Sequence, residues 1–251
     1  MAYEYVLYEK QDHIATITLN RPEVMNAVHP PATAELSGIW DDAIADDDVW
    51  VILLTGAGER AFSAGNDLKY TASKGMPTGP PPKGGFGGLT DRTDIDKPMI
   101  AAVNGFALGG GFEMALACDI IVAADHARLG LPEPRVGLAA AAGGMHRLPR
   151  QIPLKIAMGY MLTGKHMTAQ QALELGIVNE VVPLSWAAEI LECAPLSVRA
   201  TKQCAMQGLG QPLDQALAGS YPALKQMFYS EDVKEGPRAF AEKRKPNWQG
   251  R

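Results

Sequence analysis

The chain has few cysteines: Cys118, Cys193 and Cys204 are odd in number and far apart. They make no disulfide framework and no zinc-ligand spacing, which fits a reducing compartment. Aromatic residues are only 7%, so the 47% apolar content is mostly aliphatic and alanine. No uninterrupted apolar run approaches the ~18 residues of a membrane helix. The opening MAYEYVLYEK has neither the basic-then-apolar order of a signal peptide nor the Arg- and Ser-rich pattern of a transit peptide. The expectation is a cytoplasmic protein with no membrane partner. Positive charge is in deficit, 23 Lys+Arg against 28 Asp+Glu for a net −5, which argues against nucleic acid as partner. There is no His-Glu-x-x-His, and the histidines at 13, 29, 126, 146 and 166 show no ligand spacing, so no metal is expected. His146, in Gly143-Gly144-Met145-His146-Arg147, reads as a surface or packing residue. Ser63 lacks the preceding glycine of a nucleophile elbow, so an esterase-type triad is unsupported.

What is present points to one large core with an appendage, since 251 residues lie near the upper end of what one core serves. His13 to Leu19 alternates with the β-period and stops at Asn20-Arg21-Pro22. Thr33 to Ala45 reads as an amphipathic helix, and the acidic cluster from Asp41 to Asp48 as its solvated end. Trp50 to Thr55, Pro98 to Val103 and Asp119 to Ala124 read as strands, and a helix is expected after Gly109-Gly110-Gly111. Residues 73–90, rich in Gly and Pro, read as a mobile functional loop. Helical patterns dominate from Pro153, including Ile156–Leu162 and Ala169–Leu175. Alternating strands and helices predict an α/β core followed by a helical C-terminal region.

Gly56-x-Gly58-x-x-Ala61 follows a strand and satisfies a loose dinucleotide-binding pattern. The segment after it has little helical character, however, and the acidic residue expected about 20 positions on is missing. Leu108-Gly109-Gly110-Gly111-Phe112-Glu113 is more informative. Bare backbone at a helix start lets a ligand approach, and its outward amides favour negative charge, as an oxyanion site requires. The alternative is tight helix–strand packing with Glu113 as an ordinary first-turn carboxylate. Ala64-Gly65-Asn66-Asp67-Leu68 is a second turn with free amides, and Glu133, beside Pro132 in an apolar stretch, is a second carboxylate whose burial would raise its pKa. Two carboxylates and two Gly-flanked amides together suggest a general acid/base pair around an oxyanion site.

These residues resemble the crotonase, or enoyl-CoA hydratase/isomerase, superfamily. The likeness runs in order through Leu19-Asn20-Arg21-Pro22, Asn26-Ala27, Ala64 to Leu68, Pro98 to Gly105, Gly109 to Glu113, Cys118-Asp119, Pro132-Glu133, Gly137-Leu138, Leu162-Thr163-Gly164, Glu235-Gly236 and Phe240 to Arg244. The resemblance implies a crotonase-type spiral of ββα units over 1–183 and a helical oligomerisation region over 184–251, building a homotrimer or a dimer of trimers. It implies that the Asn66 and Gly110 amides form the oxyanion hole for a thioester carbonyl. Val24, Met25, Ala27, Ala64, Gly65, Asp67, Leu68 and Lys69 would line the coenzyme A and substrate path with Gly109, Pro132 and Leu138, and Lys243 would approach the phosphates from a neighbouring subunit. Coenzyme A would enter as part of the substrate, with no separate cofactor. Phe86, Leu138 and Met145 are candidates for setting acyl-chain length.

By the same resemblance, Glu113 would deprotonate the water that attacks Cβ of an enoyl-CoA and Glu133 would protonate Cα, a syn hydration. Gly84 to Thr90, Gly65 to Lys69 and the ending from Ser230 are similar to the carnitinyl-CoA dehydratase branch, which is the second reading. A non-catalytic or RNA-binding homologue is a third; both glutamates are retained and the chain is acidic, which argues against it. One departure stands out: between Val181 to Ser185 and Trp186 to Glu189 the family has a longer helix, and roughly three turns are absent here.

Overall fold

The computed structural model describes residues 3–75, 82–182 and 186–251. Ten strands run in chain order as β1 (Val6–Gln11), β2 (Ile14–Leu19), β3 (Val51–Gly56), β4 (Ala61–Ser63), β5 (Met99–Val103), β6 (Phe106–Leu108), β7 (Ile120–Ala123), β8 (Arg128–Gly130), β9 (His166–Thr168) and β10 (Glu180–Val181). The helices are α1 (Pro30–Ala45), α2 (Leu68–Lys74), α3 (Gly110–Ala117), α4 (Gly144–Gln151), α5 (Leu154–Thr163), α6 (Ala169–Glu174), α7 (Trp186–Leu191), α8 (Pro195–Gly208), α9 (Leu213–Ala218), α10 (Pro222–Phe228) and α11 (Asp232–Ala241).

The strands form two sheets, one ordered β1-β2-β3-β5-β7-β10 and the other β4-β6-β8-β9. Successive chain segments give one strand to each: β3 then β4, β5 then β6, β7 then β8. Helix α2 follows the first pair and α3 the second. This is the spiral of ββα units that the resemblance implies. Pairing is parallel from β2 through β7, with Leu54 opposite Ile17 and Ala101, and Ala101 opposite Ile121. Parallel strands are covered on both faces, which explains why VILLTG and MIAAV are continuous apolar runs. One face of the large sheet joins the main core with Trp40, Phe62 and Phe112, all fully buried. The opposite face presents Val51, Ile100 and Val122 to Ala187 and Trp186 of α7.

The expected helix at Thr33 begins earlier, at Pro30, because His29 caps it: its Nδ1 accepts from the Ala32 N–H at 3.3 Å, and two prolines occupy the first turn. The acidic cluster at its end is not merely solvated. Asp42 and Asp46 pair with Lys10 at 2.6 Å each, and Asp41 pairs with Arg92 at 2.7 Å. Lys97, 1% exposed, closes the same end by donating to Ala43 O at 2.8 Å and Asp46 O. Replacing Lys97 with Met removes these donors from buried carbonyls, so we expect a loss of about 1–3 kcal/mol in denaturant unfolding.

The Gly/Pro segment read as loop from 73 to 90 begins inside α2, which runs to Lys74, and contains a short 3-10 turn at Phe86–Gly88; its residues 76–81 lie outside the described ones. The junction at Pro183 and Ser185 also lies outside them. Beyond it, α7 is six residues long. The C-terminal helices are tied to the core by Lys202 with Asp119 at 2.7 Å and Arg199 with Asp96 at 3.0 Å. The chain end folds back: buried Asp232 accepts from the Gln249 and Gly250 N–H groups at 2.7 and 2.9 Å. No helix among the described residues is long and apolar enough to cross a membrane.

Candidate active site

The site lies where the two sheets' connections cross. After β6 the chain turns through Gly109 (φ +54) into α3, so the Gly110 and Gly111 N–H groups open the helix without intrahelical acceptors. Gly65 lies directly on this turn: a Cβ there would stand 2.6 Å from Leu108 O and 2.7 Å from Gly110 N. The next residue, Asn66, bridges Val28 in parallel fashion. That bridge uses Gly65 O, which accepts from Val28 N at 2.8 Å, and Asp67 N, which donates to Val28 O at 3.0 Å. Backbone alternation turns the Asn66 N–H away from Val28. The structure thus brings residues 65–66 and 109–110 side by side, as expected. The packing reading of the glycines holds too: a Cβ at Gly111 would strike Ser63 O, and one at Gly110 would lie 2.5 Å from Phe86 Cε1.

Two carboxylates border this crossing. Glu113, in the first turn of α3, is 3% exposed, and its Oε1 accepts from Gly144 N at 2.8 Å. Burial pushes its pKa up to about 7, against the amide hydrogen bond, and the charge of Glu133 adds to the rise. Glu133 opens the 3-10 turn Glu133–Val136. Its Oε1 lies 3.1 Å from where a Gly109 Cβ would be, and its Oε2 is buried without a hydrogen-bond partner among the described residues. Burial raises its pKa as well. A buried, unpaired carboxylate oxygen is costly unless protonated or met by a ligand. Because Glu113 holds its proton more tightly folded than unfolded, where the ordinary value is 4.5, the stability contributed by the protonated form is present below pH 4.5 and lost as pH rises through about 7. A general base at this position would work ionised and so runs opposite: the acid limb of kcat/KM is expected near pH 7 and should vanish with Glu113→Gln.

Of the residues expected to hold coenzyme A, 24–27 and 64–67 are joined by hydrogen bonds. Val24 ends a short 3-10 turn, Met25 and Asn26 have positive φ, and Met25 O accepts from Ala64 N at 2.9 Å. Ala27 and Asp67 are buried; Arg21 joins them by donating to Ala27 O at 2.6 Å and Asp67 Oδ2 at 3.0 Å. Burial would raise the Asp67 pKa, but the Tyr70 N–H and Arg21 outweigh it and hold it below the usual carboxylate range. Leu68 and Lys69 are exposed on α2. Pro132 is half-buried beside Glu133, and Leu138 is exposed, its N–H donating to Glu133 O at 3.0 Å. Phe86 lies against Gly110, while Met145 and His146 are exposed on α4. Lys243 is exposed beyond α11, and no described contact within the chain joins it to the site. The loose nucleotide pattern leads into β4 rather than a helix, so it does not build a dinucleotide cradle. The sequence reading missed the Gly144 amide and Arg147; the glycine pair opening α4 was their visible signal.

The fold is an α/β spiral in which two carboxylates stand near the turn that brings Gly65 against Gly110. Residues 9–251 match the enoyl-CoA hydratase/isomerase family, to which this chain belongs. It is 40% identical to (E)-benzylidenesuccinyl-CoA hydratase of Thauera aromatica over 98% of this chain and 99% of that protein. It is 41% identical to carnitinyl-CoA dehydratase of Escherichia coli strain K12, over 95% of each. The crystal structure of an enoyl-CoA hydratase from Mycobacterium marinum superposes with a TM-score of 0.90 at 42% identity, covering 98% of this chain and 99% of that one.

Proposed function

We propose that this protein is an enoyl-CoA hydratase that adds water syn across the 2,3 double bond of an enoyl-CoA thioester. The observation that carries the reading is the pair Glu113 and Glu133, both with pKa raised by burial, one in the first turn of the helix that Gly109–Gly110 opens and the other against Gly109. The thioester carbonyl accepts from the Asn66 and Gly110 N–H groups, which stabilise the enolate oxygen as charge develops. Glu113, ionised and fixed by Gly144 N–H, takes a proton from the water attacking Cβ. Glu133 delivers a proton to Cα, and the Gly109 approach leaves its carboxyl free to do so. Coenzyme A enters within the substrate, so no further cofactor is required. The strip from Val24 to Ala27 and from Ala64 to Lys69 would carry its adenine and pantetheine.

A second reading, hydration of crotonobetainyl-CoA, is favoured by the 41% identity to carnitinyl-CoA dehydratase over 95% of each chain. A hydration assay against short aliphatic, aryl and betaine enoyl-CoA esters tests both. Turnover of several esters supports the general reading, turnover of the betaine ester alone supports the second, and none at all contradicts both. Apolar side chains uncovered on the C-terminal helices, among them Leu209, Leu213, Leu217 and Phe240, each at least 74% exposed, support a trimer or dimer of trimers formed by the region after Pro183, into which Lys243 of one copy would reach towards another's coenzyme A. Light scattering should give three or six chains per particle; a stable monomer would contradict this assembly.

A further inference from the structure

Two loops distant in sequence meet beside α3. One is the Gly143–Gly144 turn, whose Gly144 N–H holds Glu113. The other carries Phe86, whose ring lies on Gly110. Arg147 joins them. Its guanidinium covers Gly143 (φ +104), where a built Cβ would fall on Nη1, and its backbone N–H donates to Gly143 O at 2.8 Å. Its Nη2 donates to Thr90 O at 2.7 Å. Thr90 is 2% exposed, and its Oγ1 accepts from Phe86 N–H at 2.9 Å. A closed ring of contacts therefore runs from Glu113 through Gly144, Arg147, Thr90 and Phe86 back to Gly110 on the same helix. No carboxylate among the described residues lies within ion-pair distance of Arg147, although the residue is half-buried. Asp91 and Glu113 face it through space without forming an ion pair, so the hydrogen bond to Thr90 O is what fixes its position.

We propose that Arg147 is a positioning residue that fixes the turn donating to Glu113 at a set distance from the Phe86 loop, so that the proton-transferring carboxylate and the wall beside the oxyanion amides move as one unit. The proposal rests on the hydratase reading for its kinetic consequence, but not for its structural one. A rigid link is worth having here because a small displacement of a catalytic group costs rate steeply, ~10²-fold for about 1 Å. Charged groups facing Glu113 are Glu133, from the 3-10 turn, and Arg147, from α4. Loss of the arginine charge leaves the carboxylate harder to ionise.

The test compares wild type, Arg147→Met and Arg147→Lys in the full chain, by amide hydrogen exchange and by enoyl-CoA hydration. In Arg147→Met, the Gly144 and Phe86 amides should both exchange faster and by similar factors, with α8 unchanged. For kinetics we expect kcat to fall ~10-fold or more, KM to rise, and the acid limb to move to higher pH. Arg147→Lys, which keeps the charge and one donor, should recover the pH profile and part of the protection. If Arg147→Met does not fold, the lysine variant decides alone, by an intermediate loss at both amides. Faster exchange at only one of the two loops, or at neither, overturns the proposal, as does an unshifted pH profile in an active Arg147→Met enzyme. A wild-type protein that hydrates no enoyl-CoA sinks the hydratase reading instead, and the exchange data still decide the role of Arg147.

Discussion

Glu133→Gln is expected to lower hydration by about 10²–10⁴-fold while leaving thioester binding unchanged. The glutamine keeps the size and shape of the side chain but cannot give up a proton at the operating pH. Glu133 Oε2 has no hydrogen-bond partner among the described residues, so the substitution breaks no bond there and should not lower Tm. Burial raises the pKa of the native carboxyl, the direction that favours a proton donor. Steady-state loss of the conjugated thioester gives kcat, and calorimetric titration with a saturated acyl-CoA gives binding. Near wild-type turnover in this variant would remove Glu133 from the chemistry.

Gly65→Ala should cost about 10²–10³-fold in kcat, the typical loss of one oxyanion-hole donor. The reason is geometric. Gly65 has φ +83, which disfavours any Cβ, and the added methyl would meet Leu108 O and Gly110 N at 2.6 and 2.7 Å. Both obstacles are backbone and cannot rotate aside. The Asn66 and Gly110 amides must then separate, and Tm should fall as well. Gly38→Ala is the natural control, because it lies within α1 with open space around it. That change should leave activity alone and stabilise by about 0.5–1 kcal/mol. Equal kinetic loss in both variants would mean that the amide pair is not the oxyanion site.

The middle of the large sheet was legible because its strands are long enough to show a period or a bounded apolar run: Ile14–Leu19, Val51–Gly56, Met99–Val103 and Ile120–Ala123 stand close to where the sequence places them, whereas β1 and the two-residue β10 at its edges were not read. The smaller sheet was not. Strands β4, β6, β8 and β9 have three residues each, too short for a β-period to emerge, and they are set by pairing across the spiral. Glu113 and Glu133 could be named from their motifs, and the resemblance supplied Asn66 and Gly110. The Gly144 donor and Arg147 belong to contacts made across 31 and 57 positions, which no local pattern reports. The acidic end of α1 is solvated as expected, but its ion pairs went unread for the same reason. Its partners, Lys10, Lys83 and Arg92, come from elsewhere in the chain.

The most direct test of syn hydration is product analysis in heavy water. The purified protein is incubated with crotonyl-CoA, an aryl enoyl-CoA and crotonobetainyl-CoA in deuterium oxide, and the products are examined by mass spectrometry and NMR. The expected product is a 3-hydroxyacyl-CoA from at least one ester, with a single deuterium at Cα on the same face as the new hydroxyl at Cβ. No hydrated product from any ester, or deuterium on the opposite face from the hydroxyl, would contradict syn hydration.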